Sequence, residues 1–566
     1  MSGAGDATQR HTPGRRDFLH TGLGGLLGLA GCQRTESLAH IDGGFVGQNP
    51  QQAHRLQGAP AWPAPAATRR THTLIIGAGV AGLAAARALR LRGVDDFAVL
   101  ELEDEAGGNS RAMQLGGLSC PLGAHYLPLP DDNAPEVQDL LEELGLRQRH
   151  AGRWVYDERH LCHSPQERLF LHGQWQEGLL PLRGVGADTL QQYRRFAALV
   201  RDLQRQAPWR VPASIWPFAP VQLALSAITF DGYLTQQGLT DHHLRWYLDY
   251  CCRDDYGAGL ATVSAWAGLH YFASRHGFAA PGQDDSPGDA VLTWPEGNAW
   301  LTRRLSAPLG ARLHTGRTVW RVAQTRHGAE VDAFDQAQAR SERWLANQVI
   351  VALPIYVALR IVQDPPDWLR LAGAQMAYAP WLVANLHLRA PLHDAGGAAP
   401  SWDNVLYGAT GNASGLGYVD ASHQRLQSVP GATVLTYYRA LGDWLLPPGA
   451  PRRSAGVAAR HWLLQRPWTD WRAAIVAELA GAHPDLAAKT TRIALARYGH
   501  AMAIPWPGFD HQIGLQRLSV KRKQLSGSEH LVRQHGRLRF AHSDWAGYSV
   551  FEEAFTLGHL AGAGTK

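Results

Sequence analysis

The rhythm of hydrophobic and polar positions changes abruptly near residue 71. Before it, residues 33–70 pass through "APAWPAPAATRR", Ala59 to Arg70, without apolar periodicity, and are expected to form a tether. After it, the apolar run Leu74-Ile75-Ile76 predicts a short buried strand, Gly77-x-Gly79-x-x-Gly82 a turn, and Ala81 to Arg92 a helix closing on Gly93. "FAVLELE" predicts a second strand from Phe97, Thr318 to Val322 a third, and "NQVIVALP", Asn347 to Pro354, a fourth. Two stretches, "EVQDLLEELG" at Glu136 and "DTLQQYRRFAALVRDLQRQ" at Asp188, repeat at 3.6 residues and predict helices. Near the end, Leu538 and Phe540 alternate on a strand, and Ser549 with Glu552 reads as a capping box opening the last helix.

The glycines of the first turn each meet a physical need of a dinucleotide site. Gly77 permits the tight turn, Gly79 lets the backbone approach a pyrophosphate, and Gly82 allows close packing of helix on strand. The helix amino end offers free N–H groups and a positive dipole end to the phosphates. Glu101 follows Gly77 by 24 residues, near where a carboxylate should hold a ribose hydroxyl.

Composition narrows the picture. At 566 residues the chain exceeds the roughly 250–300 residues at which single cores stop growing, so two or three lobes are expected. The 54 basic and 49 acidic residues leave a net charge of +5 with no basic block, which argues against nucleic-acid binding. The five cysteines form no CxxC pair, and no metal-ligand spacing is present. Arg15-Arg16-Asp17-Phe18-Leu19, the short apolar run Thr21 to Ala30 and the closing Leu29-Ala30-Gly31-Cys32 match, in order, a twin-arginine export signal and a bacterial lipoprotein box. Residues 1–32 are therefore expected to be an export signal, with Cys32 lipidated and the protein held on the periplasmic side of a bacterial membrane.

"EAGGNSR", Glu105 to Arg111, then "GAHYLPLP" from Gly123, "LTWPEGNAWLTRRL" from Leu292 and "GRLRFAHSDWAGYSVFEEAFTLGHLAG" near the end resemble the flavin-dependent amine oxidases and their relatives, the phytoene desaturases and protoporphyrinogen oxidases. The resemblance implies an α/β fold in which a discontinuous Rossmann-like FAD-binding domain, residues 71–128, 290–360 and 495–566, carries an inserted α+β substrate-binding domain, residues 129–289 and 361–494. It implies FAD as cofactor, held by Gly77, Gly79, Gly82, Glu101, Gly107, Gly108, Arg111 and Ser549, with the backbone of Val319 at the adenine and Asp544 at the ribityl or pyrophosphate part. Two departures stand out. Asn109 occupies a position where many amine oxidases have arginine, and His542-Ser543 replaces an expected glycine before Asp544.

Position in these motifs makes His125, His500 and Trp506 candidates for the reaction centre. Asp254 and Tyr256, in "LRWYLDYCCRDDYGAG", and Asp403, in "SWDNVLYG", are candidates to meet a cationic substrate. The resemblance also implies that a mid-chain lysine assists reoxidation by oxygen, yet this chain has only Lys489, Lys521, Lys523 and Lys566. That favours an acceptor such as a quinone or cytochrome. Three readings follow: a dehydrogenase or oxidase of amines or polyamines, a desaturase or isomerase of an apolar polyene, and an exported flavin-binding lipoprotein without catalysis.

Overall fold

The computed structural model describes residues 38–57, 61–282, 290–408, 414–421, 423–424, 429–443, 455–509, 511, 513 and 531–564. Arg15, Arg16, Cys32, Lys521, Lys523 and Lys566 lie outside the described residues. The chain divides into two units, Met1–His40 and Ile41–Lys566. Of the first, the described part is the single 3-10 turn Leu38–His40. Among the described residues no helix is long and apolar enough to cross a membrane.

Two large sheets organise the second unit. In the first, β2 (Ala67–Ile76) lies parallel between β3 (Phe97–Leu100) and β9 (Arg340–Val351), with β6 (Leu313–His314) beyond β3. The run Thr73 to Ile76 is buried on both faces, as a central parallel strand requires. An antiparallel pair, β7 (Arg317–Gln324) and β8 (Ala329–Asp335), extends one half of β9, while β16 (Leu538–Phe540) with its partner β15 (Arg533–His535) joins the other half.

The helix after β2, α1 (Val80–Leu91), packs under the closing helix α5 (Phe551–Ala563). Gly558 and Gly562 of α5 sit directly on the carbonyls of Ala81 and Ala85, and a Cβ at either would collide with those oxygens. The capping box expected at α5 does not form. Val550 is the N-cap, Ser549 Oγ accepts the Ala503 N–H at 3.0 Å, and Glu552 pairs with Arg275. A tertiary partner thus takes each of the two side chains.

The second sheet runs in the order β1 (Asp42–Val46), β14 (Thr490–Ala503), β10 (Tyr378–Leu388), β13 (Thr433–Ala440), β12 (Tyr418–Asp420), β11 (Asp403–Leu406), β4 (Glu167–Leu171) and β5 (Gln174–Glu177). Against it pack the helices of the first inserted block, α2 (Ala187–Gln206), α3 (His242–Tyr256) and α4 (Ala265–Tyr271), around an aromatic-rich core.

Two segment boundaries differ from the sequence reading. β14 is one continuous strand of the second sheet, so residues 495–503 stand with the inserted lobe rather than the cofactor lobe. Residues 42–57 and 67–70, expected as tether, are structured: β1 pairs in parallel with β14, a short helix spans Pro50–His54, and β2 starts at Ala67. Composition alone suggested a linker because an edge strand with two glycines and a single helical turn carry no strong periodicity.

Candidate functional site

One cleft of about 900 Å³ draws its walls from both sheets. That volume lies at the upper end of the roughly 300–1,000 Å³ of small-molecule and cofactor pockets.

At one end the first turn forms a cradle. Gly77 has φ +95°, and a Cβ there would stand 2.5 Å from the Ala352 carbonyl oxygen. At Gly82 a Cβ would run into the Gly77 carbonyl. Gly79 differs: its φ of −72° suits any residue, and a Cβ would find only the Cα of Gly108, at 3.9 Å. Gly79 is therefore open toward the cleft, not crowded by protein. As N-cap of α1 it has no side-chain bond, so the first-turn N–H groups of the helix face the same space. Gly107 and Gly108, at φ +131° and +58°, form the opposite lip.

Glu101 ties the loops together. Its Oε2 accepts the Ala78 N–H at 2.7 Å and its Oε1 the Glu103 N–H at 3.0 Å. Burial pushes its carboxyl up, against the lowering effect of those two bonds. Arg111 is buried, donates through Nε to the Gly108 carbonyl at 3.3 Å and stands 3.7 Å from both Glu103 and Asp104. Asn109 donates to the Ala501 carbonyl at 2.9 Å, which fixes the loop instead of presenting a charge. Val319 lines the cleft beside Thr318.

Asp544 is fully buried, and its Oδ2 accepts the Ile355 N–H at 2.9 Å and the Tyr378 hydroxyl at 2.6 Å. Burial opposes its charge, but His542, Tyr378 and Ile355 outweigh it and hold the carboxyl below its ordinary range. A carboxylate lowered on folding stabilises the protein above its unfolded pKa of about 4 and loses that contribution as pH falls through the folded value. Asp544→Asn is expected to cost about 1–3 kcal/mol at pH 7, because buried donors lose a charged acceptor. It should also flatten the acid limb of Tm against pH, which thermal melts from pH 3 to pH 7 would check.

The middle of the cleft is aromatic. His125 stacks on Tyr438 with centroids 4.4 Å apart and meets Tyr126 edge-on at 5.0 Å. Tyr438 donates to the Gly123 carbonyl at 3.0 Å, and Tyr498 to the Leu122 carbonyl at 2.7 Å. His500 lines the cleft and stacks on Tyr356 at 4.3 Å. Burial pushes both His125 and His500 down to about 3, so both rings are neutral near pH 7 and poor proton acceptors. The base or relay role expected of them from position alone does not suit such rings. An uncharged, hydrogen-bonding wall does.

Asp254, Asp255, Arg275 and Glu552 bring charge to the same cleft. Arg275 pairs with Glu552 and feels Asp255. Tyr126 lies within electrostatic reach of Asp254, Asp255 and Asp403. Asp403 itself is set behind the wall, 3.4 Å from the Tyr250 hydroxyl. Burial first, then the charges of Asp254 and Glu167, push its carboxyl well above the ordinary range.

Two further expected residues stand outside the cleft. Tyr256 is fully buried in the helical core and donates to the Ala267 carbonyl at 2.8 Å, because on α3 it points about 100° away from Asp255. Trp506 donates from its indole to the Gln375 carbonyl at 2.7 Å. Conversely, Tyr126, Tyr378, Trp381, Tyr438 and Arg275 line the cleft without having been singled out. Tyr126 directly follows His125, and Tyr438 falls in the apolar run "TVLTYYRA", where alternation sends Tyr437 to Glu478 and Tyr438 to the opposite face.

A model of the flavin containing amine oxidoreductase family matches residues 80–561. Over 306 residues the chain is 28% identical to a Mycobacterium tuberculosis protein named as a flavin-containing monoamine oxidase, a match covering 52% of this chain and 59% of that one. The chain thus spans about three fifths of that relative's length. Putrescine oxidase bound to putrescine superposes with a TM-score of 0.61 at 18% identity, over 88% of this chain and 99% of that one. Cyclohexylamine oxidase from Brevibacterium oxydans gives 0.59 at 16% identity, over 87% and 98%.

Proposed function

Because the chain belongs to the flavin containing amine oxidoreductase family, we propose that it is an FAD-dependent dehydrogenase of amines, with diamines or polyamines as the favoured class. The residues present fit FAD: a glycine-lined slot left open at Gly79, a helix amino end facing it, and Glu101 beside it. When bound, FAD supplies the two-electron acceptor for a hydride from the carbon next to nitrogen. The observation that carries the reading is continuity: the cradle, the aromatic walls and the acidic residues Asp254 and Asp255 line one cleft.

Each wall has a distinct task. A primary amine has a pKa near 10.4, so presenting it neutral at pH 7 costs about 4–5 kcal/mol unless the site helps. Aromatic, water-excluding walls with neutral His125 lower that cost by disfavouring the ammonium form. A carboxylate touching the reacting nitrogen would do the reverse. Asp254 and Asp255 therefore suit a second, cationic nitrogen, which they hold while Tyr126 and Tyr438 flank the chain.

The polyene reading calls for a wholly apolar cavity, which Asp254, Asp255, Arg275 and Glu552 do not provide. Lys489 donates to the Pro391 carbonyl and pairs with Asp485. Among the described residues no lysine lines the cleft, which supports a quinone or cytochrome acceptor over oxygen. The Arg15-Arg16 motif, the apolar run and Cys32 support export by the twin-arginine route and a lipid anchor on the periplasmic side. Cys32→Ser is then expected to move the protein from the membrane fraction to the soluble one.

The test is anaerobic bleaching of flavin absorbance by panels of diamines, monoamines and polyenes. Bleaching by diamines, slow to recover in air and fast with a quinone, is the expected result. Bleaching by polyenes alone would sink the amine reading, and no bleaching by any substrate would favour a non-catalytic lipoprotein.

A further inference from the structure

Part of the wall of the cofactor cleft comes from a segment N-terminal to the first strand of the glycine cradle. Gln48, Asn49, Ala53, His54, Leu56 and Gln57 line it, and all precede the family match, which begins at residue 80. We propose that residues 47–57 are a cofactor-retaining strap: they close the cleft over bound FAD and set how slowly it leaves. The inference rests on FAD occupying the cradle.

The strap spans the cleft from wall to wall. At one side the Asn49 N–H donates to Glu103 Oε1 at 3.2 Å, on the loop that Glu101 organises. At the other, Arg360 donates to the Leu56 carbonyl at 2.9 Å from the helix Ile355–Ile361. His54 lies within electrostatic reach of His500 and adds to the lowering of its ring. The two ends are clamped independently. Upstream, β1 pairs residue by residue with β14 from Asp42–Arg492 to Val46–Ala496, and Arg497, itself a lining residue, lies 3.5 Å over the Phe45 ring. Downstream, Arg55 lies 4.5 Å over Trp62, which stacks on Trp320. The short helix Pro50–His54, capped by the Asn49 side chain on the Gln52 N–H, keeps the crossing segment compact.

A segment held at its ends and solvent-exposed along its outer side opens by local unfolding, so the frequency of opening limits escape of what lies beneath. β1 is an edge strand, and loosening it leaves the remainder of its sheet paired. Gly43 gives a way to loosen it. A Cβ at Gly43 would collide with the Ile493 carbonyl oxygen, whereas a Cβ at Gly44, the next residue, meets nothing within 4 Å.

The experiment uses the full-length, FAD-loaded protein and follows release by the rise in flavin fluorescence after dilution. Gly43→Val and Phe45→Ala are expected to bind one FAD per chain and to release it at least tenfold faster than wild type, while Gly44→Val releases it at the wild-type rate. Phe45 is 39% exposed, so its truncation tests the clamp without emptying a core. Wild-type release from both Gly43→Val and Phe45→Ala would overturn the strap. If Gly43→Val does not fold, Phe45→Ala decides alone by the same criterion. Equal acceleration in Gly44→Val would also overturn it, since the effect would then not depend on the collision with Ile493. Absence of FAD from the wild-type protein is a separate failure, of the cofactor assignment itself.

Discussion

Gly79→Val is expected to give a folded protein that retains no FAD. The backbone at Gly79 already has φ −72° and ψ −175°, an extended conformation open to valine, and a Cβ there meets no protein atom nearer than 3.9 Å. What the side chain takes is the space the pyrophosphate needs against the first turn of α1. Affinity should fall more than 100-fold, read as loss of the flavin band from purified protein, with apo-protein melting within a few degrees of wild-type apo-protein. Gly82→Val should behave differently. Its Cβ strikes the Gly77 carbonyl inside the strand–helix junction, so fold and cofactor are lost together. A Gly79→Val protein that still purifies yellow would place the pyrophosphate elsewhere.

Asp254→Asn is expected to raise the KM for a diamine about 10- to 100-fold while leaving a monoamine of equal length within about twofold. A charged hydrogen bond is worth roughly 1.5–3 kcal/mol, and the amide keeps the shape but not the charge. The effect should appear in KM and kcat/KM, because the distal nitrogen takes no part in hydride transfer. Equal losses on both substrates would put Asp254 at the reacting nitrogen instead. Steady-state kinetics with a quinone acceptor on the paired substrates separates the outcomes.

The sequence announces the first sheet and the cradle because their requirements are local. A buried run of Leu74-Ile75-Ile76, glycines at fixed offsets and Glu101 on the next strand sit within thirty residues, and each constraint is visible in the letters. The acidic part of the cleft was half legible. Asp254 stands in the cleft with Asp255, but Tyr256, the next residue on α3, turns into the core, and Asp403 contributes from behind the wall. Which side of a buried helix faces a cavity depends on what packs around it, and that information is tertiary. His500 and Trp506 show the same limit within one short segment, since one reaches the cleft and the other bonds to Gln375. The strap was least legible of all. Its polar run with Gly47 and Pro50 looks like a linker, and only the distant β14 makes the preceding Asp42–Val46 a strand.

That pairing also fixes an order of events while the chain is being made. Asp42 and Arg492 are 450 residues apart, and at 5–20 residues per second, roughly 20–90 s separate their emergence. For that interval the early strand has no neighbour to join. The glycine turn, β3 and α1 are complete within the first hundred or so residues, but the cover over them waits for the far end of the message. The cover over the nucleotide half of the cleft therefore cannot be clamped until residues 492–496 have been made.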